Sequence, residues 1–148
     1  MFDSLVRPHI ANGDLFECVG VTANALSAAR IREEFAGWLH GYFGLDPIRS
    51  SDLVLAINEA LANVAEYAYL ADRQYGKVDL RAVHDPGDSR LTVLVDDWGV
   101  WRLPDHSGAS RTRGRGIPLM EALSDHFSIE TSPAGTRVRM VWDDIPRA

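Results

Sequence analysis

The sequence predicts an α+β domain, a two-layer α/β sandwich in which a mixed, largely antiparallel sheet carries helices on one face. Helical periodicity governs two consecutive stretches of the first half. In the second half, strand-like runs come in adjacent pairs joined by short turn signals. The order βααββαββ places neighbouring strands in hairpins, which disfavours a doubly wound parallel sheet. A length of 148 residues with 46% hydrophobic content suits one compact core, so a single domain over 1–148 is expected.

Each element follows from local pattern. "DLFECVGV" reads as a first strand. "NALSAARIREEFAGWLHGYFG" follows, with Leu26, Ala29, Ile31, Phe35, Trp38, Leu39 and Phe43 near helical spacing and Gly44 as the stop. After Pro47, Ser50 or Ser51 is the expected cap of a second helix, which runs to about Tyr69 with Leu53, Ile57, Ala60, Leu61, Val64 and Ala68 as its apolar face. The period then changes. "KVDLRAVHD" and "RLTVLVDDW" flank "PGDS", the mark of a hairpin, and "HFSIETS" and "GTRVRMVW" form a second pair around Pro133, Ala134 and Gly135. Between the pairs lie a polar loop, "RLPDHSGASRTRGRG", and a short helix, "IPLMEALSDH".

Composition removes several functional classes. The formal charge of −6 argues against a partner bound along its length by phosphate neutralisation, so direct nucleic-acid binding is not expected. A small phosphate ligand stays open, because Arg111, Arg113 and Arg115 cluster with Gly114 and Gly116; alone, such a cluster also reads as a solvated loop. The lone Cys18 excludes an internal disulfide framework. The opening "MFDSLVRPHIANGD" has neither a basic nor an apolar leader region, and no apolar run approaches the roughly 18 residues of a membrane span. A cytoplasmic protein without a membrane partner is the expectation.

The second helix carries an unusual stripe. At about 100° per residue, Glu59 and Asn63 are separated by roughly 40° and Glu59 and Glu66 by roughly 20°, so the three polar groups share a face. Asn is a poor interior helix residue because its amide competes for backbone hydrogen bonds, and ligand binding is one compensation. A hydrated helix edge is the plainer alternative.

Three further features follow in order. The β-branched run "VLVDDWGVW" ends at Asp96, Asp97, Trp98 and Gly99; Asp and Gly make turns, but a carboxylate there also accepts a hydrogen bond from the exocyclic amine of adenine, where guanine presents an acceptor. In "RTRGRGIPLMEAL" two glycines precede a helix start with Pro118 in its first turn, an arrangement that brings backbone N–H groups and a positive helix end to an anion. It is not a P-loop, since Gly-x-x-x-x-Gly-Lys-Ser/Thr is absent. Gly135-Thr136 then opens the last strand.

Together and in this order, the features resemble the GHKL ATPases of the Bergerat ATP-binding fold. Glu59-x-x-x-Asn63 is similar to their N-box, Asp97-x-Gly99 to the first glycine box, Gly114-x-Gly116 to the second, and Gly135-Thr136 to the closing Gly-Thr, over about Asp52 to Met140. "EALANVAEYAY" and "GRGIPLMEALSD" look most like the anti-sigma factor serine kinases of the RsbW and SpoIIAB type. The resemblance implies binding of ATP and Mg²⁺. It further implies inhibition of a sigma factor, phosphorylation of a serine on a STAS-domain anti-sigma factor antagonist, and a homodimer. It assigns Asn63 to Mg²⁺, Glu59 to the incoming serine hydroxyl, and Asp97 and Thr136 to adenine. Gly99 would admit the base, Gly114 and Gly116 would wrap the phosphates, and Arg115 or its neighbours would neutralise developing charge.

Two positions depart from the pattern: Trp101 stands where the first glycine box usually has its last glycine, and Tyr67 where many relatives carry His. Two other functional classes remain, a nucleotide-regulated partner-binding module without useful kinase activity and a histidine-kinase-like catalytic domain.

Overall fold

In the computed structural model, which describes residues 10–68, 76–99 and 116–148, the alternating runs become a six-stranded sheet. The strands are β1 (Ile10–Ala11), β2 (Leu15–Thr22), β3 (Lys77–Asp85), β4 (Arg90–Asp97), β5 (His126–Ser132) and β6 (Gly135–Trp142). Their order across the sheet is β1-β2-β3-β4-β6-β5. Each described neighbour pair is antiparallel, so the largely antiparallel expectation holds, and no parallel pair makes the described sheet mixed.

The side-chain period of two sorts each strand onto two faces. On the inner face, Cys18, Leu80, Val95 and Val138 stand opposite one another across β2, β3, β4 and β6, and Phe16, Ala82, Val93 and Met140 form the next row. All eight are buried. The outer face is polar, with Arg81 paired to Glu17 and Arg137 to Asp96.

Two helices precede the central hairpin and one follows it: α1 (Ala25–Tyr42), α2 (Pro47–Asn63) and α3 (Gly116–Leu123). α1 starts where the Asn24 side chain accepts from Ser27 N at 2.8 Å, and it buries Ile31, Phe35, Trp38 and Leu39. Phe35 is fully buried against Phe16, with ring centroids 5.6 Å apart; such burial contributes roughly 1.5–3 kcal/mol. Helical residues end at Tyr42, one position short of an extended Phe43, and Gly44 N turns outward to Pro146 O.

α2 begins earlier than Ser50 or Ser51 would have it. Asp46 is the cap, accepting from Arg49 N at 2.7 Å, with Pro47 in the first turn. Proline suits that place because its missing N–H would have no intrahelical partner there, and the cap contributes about 1 kcal/mol. The other end also differs. The α-helix stops at Asn63, and Val64–Ala68 form a π-helical turn in place of a continuous helix to about Tyr69.

Candidate nucleotide site

The apolar inner rows of the sheet end in a polar one. Val78, Asp97 and Thr136 are register partners across β3, β4 and β6, and the next row on the same face, Leu80, Val95 and Val138, is apolar. Asp97 is 3% exposed and Thr136 5%. A buried carboxylate needs hydrogen bonds; one comes from Gly99 N, which donates to Asp97 Oδ1 at 3.0 Å and closes the strand end in a side-chain turn.

Gly135 is what lets β6 approach this carboxylate-bearing backbone. Its φ is +146°, and a Cβ there would lie 2.0 Å from Asp97 O and 2.8 Å from Trp98 Cα. No L side chain fits. The sequence reading placed Gly135 beside Thr136 but gave it no role; a glycine opening a strand directly after a tight turn was the available signal. A cleft of about 540 Å³ opens here, lined by Asp97, Trp98, Gly135 and Thr136 among others.

The second half of the site joins α2 to α3. Glu59 and Asn63, one turn apart, both meet the first residue of α3: a Cβ on Gly116 would stand 2.9 Å from Asn63 Nδ2, 3.2 Å from its Oδ1 and 3.3 Å from Glu59 Oε1. Asn63 is buried, and its Nδ2 has no hydrogen-bond partner among the described residues. An unpaired buried amide is costly, roughly 1–3 kcal/mol, and leaves a polar atom available to a ligand.

The structure thus brings Glu59, Asn63 and Gly116 together, and separately Asp97, Gly99 and Thr136. Gly114 and Arg115 lie outside the described residues, as do Arg111, Arg113, Trp101 and the Tyr67 side chain. Glu66 does not stay on the stripe. It lines a different cleft, of about 490 Å³ between α1 and α2, together with Asn24, Arg32, Asn58 and Ala62. The wider π turn is the cause: each residue advances by less than the roughly 100° of an α-helix, which carries Glu66 back toward the Asn58–Ala62 row.

Cys18 takes no part in such chemistry. Burial, followed by the nearby Glu34 and Glu17 carboxylates, pushes its thiol up to about 12, so it holds its proton at neutral pH. Among the described residues no helix is long and apolar enough to cross a membrane.

A buried carboxylate ends a central strand of this α+β sandwich, and a helix-borne Glu and Asn meet a glycine at a facing helix start. The chain belongs to the histidine kinase-like ATPase domain family, whose model matches residues 21–142. It is one of the GHKL ATP-binding domains, with an RsbW-like fold. The fold is similar to the crystal structure of the RsbU and RsbW domains of Rv1364c from Mycobacterium tuberculosis, with a TM-score of 0.68 and 24% identity over 90% of this chain. The match covers 33% of that chain, so this protein spans about a third of its length.

Proposed function

We propose that the protein is an anti-sigma factor with serine protein kinase activity. It binds Mg-ATP, phosphorylates a serine of a STAS-domain antagonist, and thereby keeps a sigma factor under its control. The observation that carries this reading is the meeting of Gly116 with both Glu59 and Asn63, because it joins a carboxylate, an amide and a helix start at one point.

Asn63 supports the metal assignment by its chemistry. A buried amide without a hydrogen-bond partner for Nδ2 can turn its Oδ1 to a cation, and Mg²⁺ takes few protein ligands, completing its shell with phosphate oxygens and water. The bound metal would supply charge neutralisation on the phosphates. Glu59 accepts the proton of the serine hydroxyl as its oxygen forms a bond to the terminal phosphorus and ADP leaves. Asp97 accepts from the adenine amine, Thr136 lies beside it as register partner, and Gly99 leaves room for the base. Gly114 and Gly116 hold the phosphates by backbone N–H groups, and Arg115 offsets charge on the transferring group. A homodimer and a cytoplasmic setting complete the reading.

The test is phosphotransfer from radiolabelled ATP to STAS-domain proteins of the same organism. Glu59→Ala should retain nucleotide binding and lose transfer. Unchanged transfer would remove Glu59 as the base, and no transfer by the unsubstituted protein, with ATP still bound, would favour the partner-binding module. Transfer to a histidine would favour the histidine-kinase-like reading.

A further inference from the structure

We infer that His84 is an acid-sensitive latch that holds the strap Ile145–Ala148 against the end of α1. His84 points inward from β3, is 3% exposed, and has no part in the nucleotide site. Its two ring nitrogens face partners of opposite and fixed character. Nε2 lies 2.8 Å from the carbonyl oxygen of Ile145, which can only accept, and Nδ1 lies 3.4 Å from Arg147 Nε, which can only donate. Both contacts are satisfied by one form alone, the neutral ring protonated on Nε2. Adding a proton turns Nδ1 into a donor facing a donor and sets an imidazolium beside a guanidinium.

The strap depends on that ring. Ile145 is fully buried, and its N–H donates to Ser89 O at 2.7 Å. Pro146 O accepts from Gly44 N at 2.9 Å, and Ala148 N donates to Tyr42 O at 3.0 Å, so the strap ties the end of α1 to the edge of the β3–β4 hairpin. Phe43 closes over the imidazole with ring centroids 4.7 Å apart. Among the described residues, the charged groups about the ring are Arg147 from the strap and Asp14 from the β1–β2 turn, whose carboxylate pairs with the Arg147 guanidinium. Asp85, next along β3, is exposed and accepts from Gly87 N within its own turn. Arg147 is thus anchored by Asp14 while its Nε serves His84. Protonation of the ring breaks only the His84 arm and leaves the Asp14–Arg147 pair in place.

Amide hydrogen exchange on the full chain tests the latch between about pH 7.5 and about pH 5.5, corrected for intrinsic rates. Protection of Ile145, Gly44 and Ala148 should fall by roughly tenfold across this interval, the effect of one lost hydrogen bond, while the β4 amide of Val93 stays unchanged. His84→Gln, whose amide supplies both a donor and an acceptor, should make strap protection independent of pH. Flat protection in the unsubstituted protein, or the same loss in His84→Gln, would overturn the inference. If that variant does not fold, the ring nitrogen shifts of His84 decide: an Nε2–H tautomer titrating in step with the strap amides is expected, and an Nδ1–H tautomer or a titration out of step contradicts the latch.

Discussion

Gly116 faces Asn63 at close range: a Cβ at position 116 would stand 2.9 Å from Asn63 Nδ2, so the amide would have to move to admit it. The contact binds the start of α3 to the end of the α-helical part of α2, and it includes Glu59 Oε1 at 3.3 Å. Gly116→Ala should therefore push the amide and carboxylate aside while the fold, with α3 favoured by alanine, stays intact. ATP affinity is expected to fall by about tenfold or more, near 1.4 kcal/mol, with little change in melting temperature. Calorimetric titration beside a thermal melt checks both.

Gly135 is a different case, because its neighbour is backbone. The Asp97 carbonyl oxygen, 2.0 Å from where an alanine Cβ would stand, cannot rotate away without breaking the β4–β6 ladder, and the φ of +146° is strained for alanine in any case. Gly135→Ala should cost about 2–4 kcal/mol of stability, or prevent folding. Urea unfolding measures it; a loss under about 0.5 kcal/mol would show that the strand end relaxes freely.

Asp97→Asn separates the structural role of this residue from its proposed reading of the base. Asparagine keeps an oxygen that accepts from Gly99 N, so the turn after β4 survives. Its amide also offers a donor, which suits guanine as well as the carboxylate suited adenine. ATP affinity should fall by about tenfold while GTP affinity does not, and competition between the two nucleotides reads the change.

The buried thiol gives a prediction about pH. Cys18 is pushed from its ordinary 9.0 to about 12, chiefly by burial. A raised value means that the folded state keeps its proton while the unfolded chain gives it up, so the thiol's contribution to stability is whole below pH 9.0 and is lost progressively up to about 12. Labelling by a thiol reagent at mildly alkaline pH should be negligible until denaturant unfolds the chain. Rapid labelling of the native protein would place the thiol at an accessible surface.

Much of this architecture was legible in the sequence, and the reasons differ by element. Strands β3, β5 and β6 have the limits that alternation and turn residues set, because Pro86, Gly87 and Pro133 punctuate them sharply. β1 was missed, since Ile10 and Ala11 are too short a run to alternate. The start of α2 was misplaced by the pull of two serines, although Asp46-Pro47 carries the stronger cap. The π turn was illegible: Val64, Ala65 and Ala68 fit an α-helix equally well, and hydrophobic period does not encode which carbonyl an N–H chooses. That one change moved Glu66 off the stripe it shared with Glu59 and Asn63.

Within the site, the Glu59–Asn63 proximity follows from helical spacing, whereas the pairing of Asp97 with Thr136 depends on strand register, which no single strand contains. The contact of Gly116 with α2 arises from tertiary packing between residues more than fifty positions apart in sequence, roughly the separation that local pattern cannot reach. Motif order supplied that link before geometry did.

The most direct test of the central claim is a calorimetric titration with Mg-ATP of the unsubstituted protein and of Asn63→Ala. Saturable binding that is preferential over Mg-GTP, and that weakens by about tenfold or more in Asn63→Ala, is the result expected if the buried amide meets Mg-ATP. Absence of binding by the unsubstituted protein, or equal affinity in the variant, would contradict the assignment of this site.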